Sequence, residues 1–134
     1  KPLQLAAVQA LSQGPEWFAE LNAEYRRRRV LAGGIFDLLG VKYDHDSSGM
    51  FLWGRICQPV GPIDPNVEQQ VSVGERVSDM LLREAGVFIT PGFIFGKNGE
   101  NYIRISLCAK PEVLRKAADR IKCGRQSAEF QSIS

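Results

Sequence analysis

The stretch from Val87 to Leu107, VFITPGFIFGKNGENYIRISL, limits the possible folds more than any other part of the chain. Its second half alternates Tyr102, Arg104 and Ser106 with Ile103, Ile105 and Leu107. Successive side chains of a strand point to opposite faces, so this spacing predicts a strand with one apolar and one polar face. Burying the three aliphatic residues forces Arg104 to point the other way. An apolar run, Val87 to Thr90, precedes it and reads as a second strand. The connection holds Pro91, Gly92, Gly96, Asn98 and Gly99, and Asn98-Gly99 predicts a turn with positive φ. Taken alone, Arg104 is an ordinary exposed strand arginine.

The rest of the chain supplies partners for this pair. Residues Pro2 to Ser12 have the spacing of a short amphipathic helix, interrupted at Gln13-Gly14-Pro15. Pro15 suits the first position of a second helix, which runs to about Leu39 with Trp17, Leu21, Tyr25, Arg28, Ala32, Ile35 and Leu39 on one side. Gly33-Gly34 within it implies a bend or a close backbone approach, and Gly40 ends it. After a short extended segment from Val41 to Asp46, Met50 to Ile56 reads as a strand with Phe51, Trp53 and Arg55 on one face. Composition assigns its aromatics to the core. Residues 58–74, with three prolines, read as a long loop open to a lid-like role. Helices follow over Glu75 to Ala85, stopped by Gly86, and from Pro111 to Gly124, with 125–134 as a polar tail. The expected fold is α+β: Met50–Ile56, Val87–Thr90 and Tyr102–Leu107 in one small, mainly antiparallel sheet. Helices 15–39, 75–85 and 111–123 cover its apolar face.

Composition narrows the function by exclusion. With 134 residues, 44% of them hydrophobic, the chain suffices for one domain with a core of its own. A net charge of +2 is too small to call for nucleic acid or an acidic membrane. The one basic run, Arg26 to Arg29, falls on a helix and reads as a solvated or domain-facing surface. Cys57, Cys108 and Cys123 are far apart and form neither metal-ligand nor disulfide spacing, so no metal site is expected. Lacking a signal peptide and a long apolar span, the chain is expected in the reducing cytoplasm, with neither nucleic-acid nor membrane partners. His45, between Asp44 and Asp46, reads as a loop histidine. Gly92 to Asn98 fails as a phosphate loop: three residues, not four, separate its glycines, and Asn98 stands where Ser or Thr is needed.

Several short motifs together point further. Glu84-Ala85-Gly86-Val87, Pro91-Gly92, Phe95-Gly96 and Tyr102-Ile103-Arg104-Ile105-Ser106-Leu107 resemble, in order, the C-terminal pattern of the fold type I, class I/II pyridoxal-phosphate aminotransferases, the group that includes aspartate and LL-diaminopimelate aminotransferases. The run Glu24-Tyr25-Arg26-Arg27-Arg28-Arg29 and the segment Gly49-Met50-Phe51-Leu52-Trp53 are also similar to that family, although the 58–74 loop is longer. The resemblance implies an aminotransferase small domain over 15–124 with a long connecting helix, a remnant of the large-domain junction over 1–14, and the tail at 125–134. It implies that Arg104 grips the substrate α-carboxylate and that Phe51 lies near the substrate pocket.

The same resemblance implies a parent enzyme that moves an amino group between amino-acid and 2-oxo-acid substrates, works with pyridoxal phosphate and forms a homodimer. It also makes an absence informative. The family's Schiff-base lysine sits in a Ser-x-x-Lys type context, and none of the six lysines has that setting. The expectation is a C-terminal fragment with no catalytic and no cofactor-binding residues, inactive alone. The alternative is a stand-alone, non-catalytic α+β module that binds a small carboxylate or a protein partner.

Overall fold

The computed structural model describes residues 1–57 and 71–131, for residues 125–131 the backbone alone. Most of the expected 58–74 loop therefore lies outside the described residues. Helix α1 (Pro2–Leu11) has apolar side chains on most sides and buries none of them, so the expected amphipathic packing is not seen. Helix α2 (Pro15–Leu39) starts on Pro15 and ends where Gly40 turns left-handed at φ 66°. Its expected stripe is only half used. Trp17, Phe18 and Leu21 stay exposed, whereas Ala32, Ile35, Phe36 and Leu39 enter the core. Gly33 marks a close approach, since a Cβ there would strike the Tyr43 ring, while Gly34 faces open space.

Strand β1 (Val41–Tyr43) follows, then β2 (Phe51–Ile56), helix α3 (Val73–Ala85), β3 (Thr90–Pro91), two single 3₁₀ turns (Gly92–Phe95 and Lys97–Gly99), β4 (Tyr102–Ser106) and helix α4 (Pro111–Gln131). The sheet has four strands in the order β1-β2-β4-β3, every neighbouring pair antiparallel. The fold class is α+β as expected, with β1 added at one edge. Strand β2 sets Leu52 opposite Ile105 and Trp53 opposite Arg104.

Three local expectations are corrected. Val87 to Ile89 is not strand: only Thr90 and Pro91 pair, with Arg104 and Ile103. The preceding residues are held elsewhere, as the Val87 N–H donates to Leu81 O at 3.1 Å and the buried Ser78 hydroxyl to Ile89 O at 2.6 Å. Asn98-Gly99 does not adopt positive φ; the sharp backbone position is Gly96, at φ 121° and ψ 168°. Gly124 does not stop the last helix, which continues to Gln131 through part of the expected tail. A Cβ at Gly124 would sit at ordinary contact distance, 3.4 Å from the Glu84 carbonyl oxygen, so the position lies against α3 without requiring a glycine.

The core lies between one face of the sheet and the helices. Ile103, Ile105 and Leu107 from β4 and its end meet Ile35, Phe36 and Leu39 of α2, Leu81 of α3, and Leu114 and Ile121 of α4. The basic run ties this layer together. Arg28 pairs with Glu24 at 2.8 Å and donates to Leu107 O at 3.1 Å, and Arg29 donates to Ser47 Oγ at 2.9 Å and Gly49 O at 2.8 Å.

Ile103 is fully buried, so Ile103→Ala is expected to cost about 2–5 kcal/mol through lost transfer energy and the cavity left behind. Val113→Ala, at a mostly exposed helix position, should stay within about 0.5 kcal/mol. Urea unfolding of the two variants checks the contrast. Burial, aided by Asp37 at 3.4 Å from the phenol oxygen, raises the Tyr43 pKa above its usual 10.0. A raised pKa means that this contribution is whole below the unfolded value and is lost as pH rises through the folded one. Above about pH 10 the thermal midpoint should therefore fall more steeply for the wild type than for Tyr43→Phe.

Candidate functional site

The face of the sheet turned away from the helices carries Phe51, Trp53 and Arg55 from β2 and Tyr102, Arg104 and Ser106 from β4. Strand alternation puts them there, because each neighbours in sequence a residue packed into the core. Arg104 occupies the middle of β4, with Trp53 opposite on one side and Thr90 on the other. Both flanking strands fix its backbone.

Aromatic rings surround its guanidinium. Cζ lies 4.1 Å from the centre of the Phe51 ring, 4.0 Å from that of Phe95 and 5.8 Å from that of Trp53. Trp53 meets Phe95 edge-on at 5.3 Å and Tyr102 at 6.4 Å. Contacts of this kind between a cation and a ring face contribute roughly 0.5–2 kcal/mol each, more as water is excluded. No acidic side chain answers the charge: among the described residues the ion pairs are Arg27 and Arg28 with Glu24, Arg83 with Asp79, and Arg115 with Glu112. Nε of Arg104 is buried without a hydrogen-bond partner among the described residues. The arginine as a whole remains partly exposed. A fork of donors, desolvated in part and without an acceptor among the described residues, can pair chemically with an anion that offers two oxygens.

Phe95 reaches this place from the connection between β3 and β4. Its 3₁₀ turn closes with the Gly96 N–H donating to Phe93 O at 2.9 Å, and a second turn follows with Gly99 N–H donating to Gly96 O at 2.9 Å. The chain then rejoins the sheet, where Ile56 N–H donates to Asn101 O at 2.9 Å. A separate cleft of about 530 Å³ runs along the β4 edge between residues 86–90 and α4. Arg104 contributes to its wall, but Phe51, Trp53 and Phe95 do not.

This arrangement can be set beside known proteins. Residues 1–121 match the family model described as aminotransferase class I and II. The chain belongs to that family. It is 32% identical over 128 residues to a putative aminotransferase, AatC, of Rhizobium meliloti, covering 96% of this chain and 29% of that protein. It is 30% identical over 120 residues to the LL-diaminopimelate aminotransferase of Natranaerobius thermophilus, covering 90% and 28%. Among solved structures it resembles an aromatic aminotransferase from Pyrococcus horikoshii with a TM-score of 0.67 and 30% identity, over 96% of this chain and 31% of that one. The chain thus spans under a third of the length of these aminotransferases.

The two residues singled out from the sequence, Arg104 and Phe51, are brought together. The expectation that the β2 aromatics belong to the core is corrected, since Phe51 and Trp53 are both over a third exposed on the open face. Period-2 alternation with Leu52 and Ile56 already carried that signal. Phe95 was legible only as part of the aminotransferase motif Phe95-Gly96. Among the described residues no group of three or more His, Cys, Asp or Glu could hold a metal ion, and no helix is long and apolar enough to cross a membrane.

Gly96 holds a backbone conformation that is essentially reserved for glycine. Gly96→Ala is expected to cost about 1–3 kcal/mol although its Cβ would meet open space, and to move Phe95 off Trp53. Urea unfolding and the fluorescence of Trp53 in a Trp17→Phe background check both effects.

Proposed function

We propose that this chain is the carboxylate-gripping part of an aminotransferase that moves an amino group between an amino acid and a 2-oxo acid, with Arg104 as the anchor for the substrate α-carboxylate. The observation that carries this reading is the buried Nε of Arg104, without a hydrogen-bond partner among the described residues, in a guanidinium held among rings on the open face of the sheet. An unpaired buried donor costs about 1–3 kcal/mol, more when it carries charge. A carboxylate at the exposed edge of the fork offsets that cost through two parallel charge-assisted hydrogen bonds.

Family membership supports pyridoxal phosphate as the cofactor of the intact enzyme. Against a place for it among the described residues stands the exposure of all six lysines, since a Schiff-base lysine is activated by desolvation or a neighbouring cation. The cofactor is accordingly assigned to parts of the enzyme beyond the residues seen here, and no step is derived through it. What this chain does is bind and orient. Two bonds to one carboxylate fix both the position of the substrate Cα and its rotation about the carboxylate axis, and such orientation is a large part of enzymatic rate. Residues 15–124 form the small domain in this reading. The fully exposed α1 supports residues 1–14 as part of a junction to a larger domain. The intact enzyme works as a homodimer in the cytoplasm.

In the full-length enzyme, Arg104→Lys replaces the fork by a point charge. The expected result is a loss of about 2–4 kcal/mol in kcat/KM for every amino-acid substrate, with cofactor occupancy unchanged. Steady-state kinetics beside the cofactor absorption spectrum measure both. A kcat/KM within about threefold of wild type, under half the effect of a single lost charged hydrogen bond, would end the carboxylate assignment.

A further inference from the structure

We propose that Phe95, together with Phe51, is a positioning residue for substrate binding: the two rings cover the two flat faces of the Arg104 guanidinium and leave only its N–H edge to the carboxylate. The inference rests on the reading of Arg104 as the carboxylate anchor and adds how that anchor is aimed.

The distances carry the argument. The rings are centred 4.0 and 4.1 Å from Cζ. Guanidinium nitrogens stand about 1.3 Å from Cζ, a conjugated C–N length. A ring centred 4.0 Å away along an N–H direction would thus meet that N–H almost in contact, whereas stacked on the flat face it sits at ordinary van der Waals separation. A planar group has two faces, and there are two rings.

Guanidinium hydrogens lie in the guanidinium plane, so this sandwich blocks no donor. It excludes water from both faces and raises the strength of a charge-assisted bond made at the edge. It also fixes the plane of the fork before substrate arrives, so less rotamer entropy is lost on binding. The two rings are held differently. Phe51 belongs to β2, where it is paired opposite Ser106. Phe95 stands on a 3₁₀ turn kept in place by Gly96 at φ 121° and by the edge contact to Trp53 at 5.3 Å. Phe95 is therefore the ring set by the turn and the one whose loss should free the arginine.

The test uses the full-length enzyme, with a panel of amino acids and 2-oxo acids assayed in single half-reactions. Phe95→Leu keeps an apolar side chain but removes the π face. It is expected to raise KM roughly 5- to 30-fold for every substrate, the equivalent of one desolvated cation–ring contact, with kcat changed far less. Phe95→Tyr, which restores the face, should recover most of the loss. In an Arg104→Gln background, Phe95→Leu should add less than about twofold, because two residues acting through one group are not additive. If Arg104→Gln itself leaves KM and kcat unchanged, the anchor reading fails and this inference with it. If Arg104→Gln costs activity but Phe95→Leu leaves KM unchanged, or costs as much in the Arg104→Gln background as in wild type, the sandwich is overturned alone. Should Phe95→Leu fail to fold, Phe51→Leu is read by the same criteria.

Discussion

A strand cannot send two neighbouring side chains to the same side, and β4 turns that constraint into the plan of the whole domain. Ile103 and Ile105 go inward, and the helices must cover them. Arg104 goes outward, away from the core helices. Strand β2 repeats the division in register, with Leu52 opposite Ile105 and Trp53 opposite Arg104. Each apolar residue given to the core thus places its neighbour on the open face. The core and the candidate site are two sides of one alternation.

The open face is unusual in what it puts around a cation. A surface arginine ordinarily solves its charge with water or a carboxylate, and the exposed pairs on α2, α3 and α4 follow that pattern. Arg104 has aromatic rings instead, and its Nε is buried with no acceptor among the described residues. Ring faces favour the charge but satisfy none of its hydrogens, which lie in the guanidinium plane. The site is therefore stabilised without being saturated, the condition a binding group needs. A lysine could gain from the same rings but would not present a planar edge.

Helix α2 is used unevenly along its length. Its second half is a core element; its first turns, with Trp17, Phe18 and Leu21, stay exposed, as does all of α1. Isolated helices as short as α1 are marginal in water. Its apolar side chains are covered by none of the described residues, and the chain covers under a third of the length of its relatives.

Much of this was determined by residue order alone. The limits of α2 followed from Pro15 and Gly40, the two faces of β2 and β4 from their period-2 spacing, and the candidate arginine from its place in that spacing and in the aminotransferase motif. These are local matters: a cap, a pleat, a missing N–H. What only the tertiary structure decided depends on contacts between distant segments. Val87 to Ile89 is apolar enough for a strand, yet Ser78 and Leu81 of α3 claim its backbone. Asn98-Gly99 carries a hairpin signature, but the longer connection takes its sharp backbone turn at Gly96. Gly124 reads as a stop, yet the helix runs through it, beside Glu84 and Ala85 of α3. The same holds for Phe95. Nothing in a linear sequence places a turn phenylalanine over an arginine nine residues later; the antiparallel return of β4 beside β3 brings them together, and the edge contact of Phe95 with Trp53 adds to it.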